Sequence, residues 1–251
     1  MRENDVKLAR RWIHDAELVV VFSGAGLSTE SGIPTFRDAS TGGFWAKYDP
    51  MKLASPQGFA ADRRLVTEWY AYRVGKVARA EPNPAHIAIA QYDLRHPGKI
   101  INITQNVDAL LQKAGAKQVY ELHGTLMEDR CNSPFCDYRR KARIYEPNEE
   151  VSLDDCPRCG SPLRPAVVWF GETLPEQAWQ ASEKACRMCD VILAVGTSGV
   201  VYPAAGLVET AKYHEAKVVV VNPQQSELDY LADVIITATA SRGIPALLDG
   251  D

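Results

Sequence analysis

Three groups of residues have types and spacings that can do chemistry. The first is Gly24-Ala25-Gly26, which follows the apolar run Leu18–Phe22. A strand that breaks into Gly-x-Gly and then a helix is a phosphate cradle. The glycines let backbone N–H groups approach a pyrophosphate, and a helix N-terminus adds partial positive charge. The fingerprint departs from that of a dehydrogenase. Thr29 stands where a third glycine belongs, and no acid about twenty residues on closes a second strand. Phe36-Arg37-Asp38 reads as a loop that folds over the ligand.

The second group is four cysteines. Cys131-x4-Cys136 and Cys156-x2-Cys159 can supply four thiolates to one tetrahedral zinc ion. Such a site has no open position, so the metal is structural and staples a segment too polar to fold on its own core. Unligated thiols or a disulfide are the plainer alternative. Cys186-Arg-Met-Cys189 has similar spacing but lies in a helical pattern, and both thiols are expected to pack as small hydrophobes.

The third group is polar clusters at the ends of apolar runs. Gln105-Asn106-Val107-Asp108 follows Ile100–Thr104. Amides and a carboxylate can recognise a carboxamide, such as that of a nicotinamide ring, through paired donors and acceptors. They can equally cap the helix that begins near Ala109. His123, before Gly124, is the best base candidate of the five histidines, whereas His86 after Asn83-Pro84 looks like part of a helix start. Trp169-Phe170-Gly171-Glu172 and Val200-Val-Tyr202-Pro203 are candidate exposed edges to which a peptide can add as a strand, or ordinary core strands with turns.

The elements that must position these residues are legible as alternation. Strand-like runs are Leu18–Phe22, Lys99–Thr104, Val191–Val195, Lys217–Val221 and Val234–Thr237. Helical patterns span Asp108–Ala114, Glu176–Cys189 and Ala204–Glu215. This predicts an α/β fold, a doubly wound parallel sheet whose strand ends bring the polar clusters together. Residues 39–93, with a helical pattern over Arg63–Ala78, and the cysteine-bearing 125–163 break the alternation and are read as a smaller second domain. The Rossmann-like domain then comprises 1–38, 94–124 and 164–251.

The chain has 251 residues, 46% hydrophobic and 24% charged, with net charge −4. That balance is ordinary for a soluble globular protein and argues against an extended nucleic-acid surface. The N-terminus lacks an apolar signal core, and no apolar run is long enough to span a membrane. A cytoplasmic location is expected.

Taken together, these residues resemble the sirtuin family of NAD-dependent protein lysine deacylases. The matching motifs are Gly24-Ala-Gly-Leu-Ser28, Thr35-Phe-Arg-Asp38, Thr104-Gln-Asn-Val-Asp108, Leu122-His-Gly124, the two cysteine pairs, Val168-Trp-Phe-Gly-Glu172, Gly196-Thr-Ser198 and Asn222-Pro223. They occur in family order over nearly the whole chain. The resemblance implies a Rossmann-like domain, a small domain of helical module and zinc ribbon, and NAD in the cleft between them. It implies that Gly24, Ala25 and Gly26 hold the pyrophosphate. Ser28, Ile33, Asn106 and Asp108 would line the nicotinamide pocket with Phe36 over the cofactor, and Thr197, Ser198, Asn222 and Ala240 would hold the adenosine side. Thr29, Arg37, Gln105, Val107, Gly196, Pro223 and Gln224 join the implied cofactor contacts. An acylated lysine peptide would pair between Gly171-Glu172 and Val200–Tyr202, beside Trp169 and Phe170.

The implied chemistry begins with nicotinamide leaving C1′ of the ribose and the acyl oxygen attacking there to give an alkylimidate. His123 then serves as general base for a ribose hydroxyl, with Asn106 and Asp108 in the catalytic set. The products are free lysine, nicotinamide and O-acyl-ADP-ribose.

Tyr70 and Arg73, three apart on one helix face, are similar to the Tyr-x-x-Arg signature of the sirtuins that remove succinyl, malonyl or glutaryl groups. Trp169 fits that class too, and dual deacetylase and desuccinylase activity is expected. A solvated Arg73 is the plain alternative. Ser40–Trp45 is longer than the usual loop, and the first cysteine pair is wider than the common x2 spacing. Competing readings are mono-ADP-ribosyl transfer from NAD and a zinc-ribbon nucleic-acid module resting on Arg139-Arg-Lys-Ala-Arg143. A monomer without nucleic-acid or membrane partners is the expectation.

Overall fold

The computed structural model describes residues 1–33, 50–146 and 148–249. Phe36, Arg37 and the 40–45 loop lie outside the described residues. In chain order, α1 (Glu3–Asp15) and β1 (Val19–Ser23) lead to α2 (Pro50–Leu53), α3 (Pro56–Ala61), α4 (Arg63–Arg79) and α5 (Pro84–Arg95). Then come β2 (Ile100–Thr104), α6 (Leu110–Ala114), β3 (Val119–Glu121), β4 (Gly124–Cys131), β5 (Arg139–Lys141) and β6 (Leu163–Val167). The chain closes with α7 (Glu176–Met188), β7 (Val191–Val195), α8 (Gly206–Tyr213), β8 (Lys217–Asn222), β9 (Val234–Thr237) and α9 (Ala240–Leu248).

All five expected strands form, and they join a six-stranded parallel sheet ordered β3-β2-β1-β7-β8-β9. Counted by appearance within the sheet, this is the order 3-2-1-4-5-6, which reverses between β1 and β7. β1 and β7 are buried at every position, as parallel strands covered on both faces must be. One face packs on α1, α5 and α9 through Ile13, Ile89, Tyr92 and Ile244. The other packs on α7 and α8 through Cys186, Leu207 and Val208. Cys186 and Cys189 are buried in that second layer, and burial pushes the Cys189 thiol up to about 12.

The sixth strand, β3, went unforeseen. It is three residues long and half-buried throughout, so it carries no apolar run. α5 lies within the 39–93 stretch read from sequence as the helical module. It buries Ala85, Ala88, Ile89 and Tyr92 in the same layer as α1 and α9.

A second, antiparallel sheet ordered β5-β4-β6 packs with α2 to α4 around Phe59, Val66, Trp69, Tyr70, Val74, Leu126 and Trp169. Asp62 caps the N-terminus of α4, its carboxylate accepting the Leu65 N–H at 2.9 Å. Ile33 and Val107, which leave the large sheet, pack against this smaller core.

Candidate active site and metal centre

The register of the large sheet brings three strand ends level. Ser23 lies opposite both Thr104 and Val195, and its hydroxyl donates to Thr104 Oγ1 at 2.9 Å. Just beyond, Gln105 N–H donates to the Ser23 carbonyl, Gly24 N–H to Val195 and Gly26 N–H to Gly196, at 2.9, 3.0 and 2.8 Å. The glycine loop therefore sits at the switch point, against the loop that follows β7.

The glycines are required for a reason the sequence did not expose. A Cβ on Gly26 would fall 2.6 Å from Gly196 Cα, and one on Gly196 would fall 2.4 Å from the Gly26 carbonyl carbon. Gly196 also has φ +58°. Two backbones approach here with no room for side chains.

No α-helix follows at once. Ala25–Leu27 and Thr29–Ser31 form two 3₁₀ turns, and Gly32 in the left-handed region ends the second. This corrects the expectation of a helix opening at the cradle. Without a long helix there is no macrodipole to invoke and no helix–strand packing for a third glycine to permit. Thr29 is tolerated, and its hydroxyl donates to the Ala25 carbonyl at 3.3 Å.

On one side of the cradle, Gln105 Nε2 donates to the buried Thr197 Oγ1 at 3.1 Å, and Asn222 Nδ2 donates to the Thr197 carbonyl at 2.7 Å. Ser198 accepts the Glu227 N–H through its carbonyl at 2.9 Å. Pro223 and Gln224 are exposed, and Ala240 is buried at the start of α9. On the other side, Ser28 Oγ is 3.1 Å from Asn106 Nδ2 and 3.3 Å from His86 Nε2.

His86 is a residue the sequence reading passed over. It sits at the third position of a capping box. Its Nδ1 accepts the Asn83 N–H at 3.3 Å, while the Asn83 side chain accepts from Ala85 N–H at 2.9 Å and His86 N–H at 3.5 Å. With Nδ1 accepting, Nε2 carries the proton and donates to Ser28. Burial drives the His86 pKa down to about 4, so the ring is neutral at pH 7. Ser28 in turn hydrogen-bonds Asp108. Burial holds the Asp108 carboxyl above its usual range, opposed by bonds from Leu110 N–H and Ser28 and by the Arg73 charge. Asp108 Oδ1 accepts the Leu110 N–H at 2.9 Å, so it also caps α6. The pattern Asn83-Pro84 pointed to the helix start but not to the contact with Ser28 across the fold.

His123 lies where the chain leaves β3 for β4. Its Nδ1 is 3.0 Å from the Gln105 carbonyl, which can only accept, so Nδ1 is protonated and Nε2 keeps its lone pair. Burial lowers the His123 pKa and the Gln105 bond raises it, with burial dominant. At φ +73°, a Cβ on Gly124 would lie 2.1 Å from the Ala166 carbonyl of β6, so the missing side chain admits the adjacent strand.

Tyr70 and Arg73 do share a face of α4, with Arg73 Cζ 5.5 Å from the Tyr70 ring centroid. Tyr70 is buried, and its oxygen accepts the Trp169 indole N–H at 2.9 Å. Glu172 accepts from Arg164 and Arg130 at 2.5 and 3.3 Å and from the Trp169 N–H at 2.9 Å. Its side chain is thus committed within the protein, and Arg164 is a second participant missed from sequence. Phe170, Val200 and Tyr202 are exposed, and Gly171 turns at φ +87°.

The four cysteines converge, with sulfurs all within 4.8 Å of one another. Cys131 and Cys159 sulfurs are 3.4 Å apart, and those of Cys136 and Cys156 3.7 Å. A tetrahedron with Zn–S bonds of about 2.3 Å needs sulfurs roughly 3.8 Å apart. The donor set fits a closed zinc site, and the wide x4 spacing does not prevent it. Gly160 turns at φ +74° and donates to the Cys156 carbonyl at 2.8 Å. The following Ser161 N–H reaches the Cys159 sulfur.

A parallel sheet that carries a glycine cradle at its switch point, with a thiolate-clamped lobe alongside, places this protein among the dinucleotide-binding α/β proteins. Within that class, the Sir2 family model matches residues 24–203, and the chain belongs to that family. A protein of Methylococcus capsulatus called NAD-dependent protein deacylase is 47% identical over 239 residues, 94% of this chain and 93% of its own. The crystal structure of a Sir2 homologue–NAD complex matches with TM-score 0.89 at 38% identity, over 97% of this chain and 92% of that one. Sir2Tm bound to a propionylated peptide matches with TM-score 0.81 at 26% identity, over 97% of each chain. Among the described residues, no helix is long and apolar enough to cross a membrane.

Proposed function

We propose that this protein is an NAD-dependent protein lysine deacylase that removes acetyl groups and also the acidic succinyl and malonyl groups. The observation that carries the reading is the arrangement of His123. Gln105 follows β2 beside the glycine cradle, and its carbonyl fixes the imidazole with the basic nitrogen left open. Bound NAD supplies a ribose whose glycosidic bond to nicotinamide can be broken.

The chain's own residues bind, orient and move protons. The Gly24–Gly26 loop would lie against the pyrophosphate, with the Gly24 and Gly26 N–H groups holding the loop to the Val195 and Gly196 carbonyls and the Ala25 N–H left to turn toward phosphate, and Thr197 and Asn222 would steady the loop on the adenosine side. Ser28, Asn106 and Asp108, backed by neutral His86, would line the nicotinamide end with fixed donors and acceptors. His123 takes a proton from a ribose hydroxyl through Nε2. Its depressed basicity keeps that nitrogen unprotonated near neutral pH.

Acylated lysine peptides are the matching substrates. They would add beside Gly171 and Val200–Tyr202, and the acyl end would meet Tyr70 and Arg73. An arginine and a phenol offer several donors to a carboxylate. The relative's designation and the propionylated-peptide complex support the reaction class.

The test is to incubate the zinc-replete protein with NAD and acetyl-, succinyl- and malonyl-lysine peptides and to identify products by mass spectrometry. Free lysine peptide with O-acyl-ADP-ribose is expected. ADP-ribosylated protein with intact acyl-lysine would refute the reading. Arg73→Met should reduce desuccinylation by about tenfold more than deacetylation, the loss of a charge-assisted bond pair. Equal losses on both substrates would remove Arg73 from the acyl site.

A further inference from the structure

An ion pair with a buried arginine stands behind the acyl end of the site. Arg164, at the second position of β6, has a side chain only 1% exposed. Its guanidinium carbon lies 3.8 Å from the centre of the Trp169 ring. One Nη donates to Glu172 Oε1 at 2.5 Å and the other to the Val167 carbonyl at 3.3 Å. The second Glu172 oxygen accepts the Trp169 backbone N–H at 2.9 Å. Arg164 and Glu172 thus hold Trp169 by both its ring face and its main chain. The indole N–H of Trp169, in turn, donates to the Tyr70 oxygen.

The direction of these bonds matters. An indole N–H is a donor only, so Tyr70 must accept from it. The Arg73 guanidinium carbon lies 5.5 Å from the Tyr70 ring centroid, and a guanidinium likewise only donates. A phenol oxygen that accepts from the indole N–H beside a second donor group has its hydroxyl proton left to offer a ligand. Burial keeps that proton on by raising the Tyr70 pKa. A hydroxyl held this way, beside a guanidinium, suits a partner that only accepts. A carboxylate is such a partner, and an apolar acyl tail is not.

We infer that Arg164 is a positioning residue for acyl selectivity. By pinning Trp169, it orients Tyr70 as a donor and so biases the site toward acyl groups ending in a carboxylate. This rests on the reading of Tyr70 and Arg73 as the acyl end of a deacylase site.

The test is a double-mutant cycle on the purified, zinc-loaded protein with NAD and matched succinyl- and acetyl-lysine peptides. Arg164→Lys keeps a charge opposite Glu172 but has no planar group to lie on the indole. The ratio of kcat/KM for succinyl over acetyl peptide should fall about tenfold, through KM for the succinyl peptide and with kcat changed by less than about twofold. In a Tyr70→Phe background, the same change should move that ratio no further, because Arg164 acts through the hydroxyl. An unchanged ratio in Arg164→Lys, or a fall that repeats undiminished in the Tyr70→Phe background, overturns the inference.

If Arg164→Lys does not fold, Trp169→Phe removes the indole N–H and is read by the same ratio and the same cycle. Wild-type protein that leaves succinyl peptides intact refutes the acyl reading itself. That outcome is seen before any variant is made, so the two failures are distinct.

Discussion

Replacing Gly26 with alanine tests the glycine cradle directly. The added methyl would sit 2.6 Å from Gly196 Cα and 2.8 Å from the Gly196 carbonyl oxygen. Carbon atoms pack at about 3.5–4.0 Å, so the loops must separate by roughly 1 Å. Neither can yield easily. Gly26 N–H is bonded to the Gly196 carbonyl at 2.8 Å, and Gly196 is held by its own N–H bond to Val221 at 3.0 Å. Overpacking of this kind costs about 1–3 kcal/mol. For a chain of this size, that lowers Tm by roughly 2–12 °C.

A cradle displaced by about 1 Å should lose on the order of 100-fold in NAD-dependent turnover. Calorimetric NAD titration, nicotinamide release and thermal unfolding, measured on one preparation, read all three effects. Gly206→Ala is the control. Its methyl would meet Tyr202 at an ordinary 3.8 Å in a helix, and the change should be neutral or stabilising by up to about 1 kcal/mol. If Gly26→Ala bound NAD within about threefold of wild type, the close approach of the two loops would not matter to the cofactor and the reasoning would fail.

The remaining expectations concern the base, the metal and a buried histidine. His123→Ala should cut deacylation by about 10²–10⁴-fold while calorimetry still detects NAD binding, and near-normal turnover would exclude His123 as the base. In the wild type, the rate should hold as pH falls to the ordinary histidine range and decline only below it, since burial depresses the His123 pKa. Cys159→Ser should abolish the zinc bound by the four-cysteine site, whereas Cys186→Ala should leave it intact, as plasma emission spectrometry can show.

His86 is neutral in the fold, because burial pushes its pKa down from the usual 6.5 to about 4. The unfolded chain therefore binds the proton more readily. Stability from this group is complete above pH 6.5 and is lost as pH falls toward 4, amounting to about 3 kcal/mol. Urea unfolding from pH 7 to 4 should show that loss in the wild type and not in His86→Gln. Identical pH slopes would contradict the assignment.

What the sequence disclosed follows from how each element signals itself. β1, β2, β7, β8 and β9 are apolar runs, so their presence and the doubly wound class were readable. β3 has the residues Val-Tyr-Glu at a sheet edge and gives no such run. The glycine loop was readable as a cradle, but the 3₁₀ turns after it depend on Gly32 ending the second turn rather than on helix propensity. The cysteine pairs announced their convergence by spacing alone. Tyr70 and Arg73 sharing a helix face follows from their being three apart.

Contacts between distant segments were not readable. His86 reaches Ser28 across 58 positions, and Trp169 reaches Tyr70 across 99. No local pattern encodes either. Arg164 looked like one more strand residue, because its role depends on the Glu172 and Trp169 that follow it folding back over its side chain. That Gly124 makes room for the Ala166 carbonyl was hidden for the same reason, since only the paired strand shows that close approach.

The most direct test of the central claim is stoichiometry. Nicotinamide release and lysine deacylation should be counted together in one reaction of purified protein, NAD and acyl-lysine peptide. One nicotinamide per lysine freed, with negligible release when the peptide lacks its acyl group, is the expected result. Lysine freed without NAD consumption, or NAD cleaved at the same rate whether or not the acyl group is present, would contradict it.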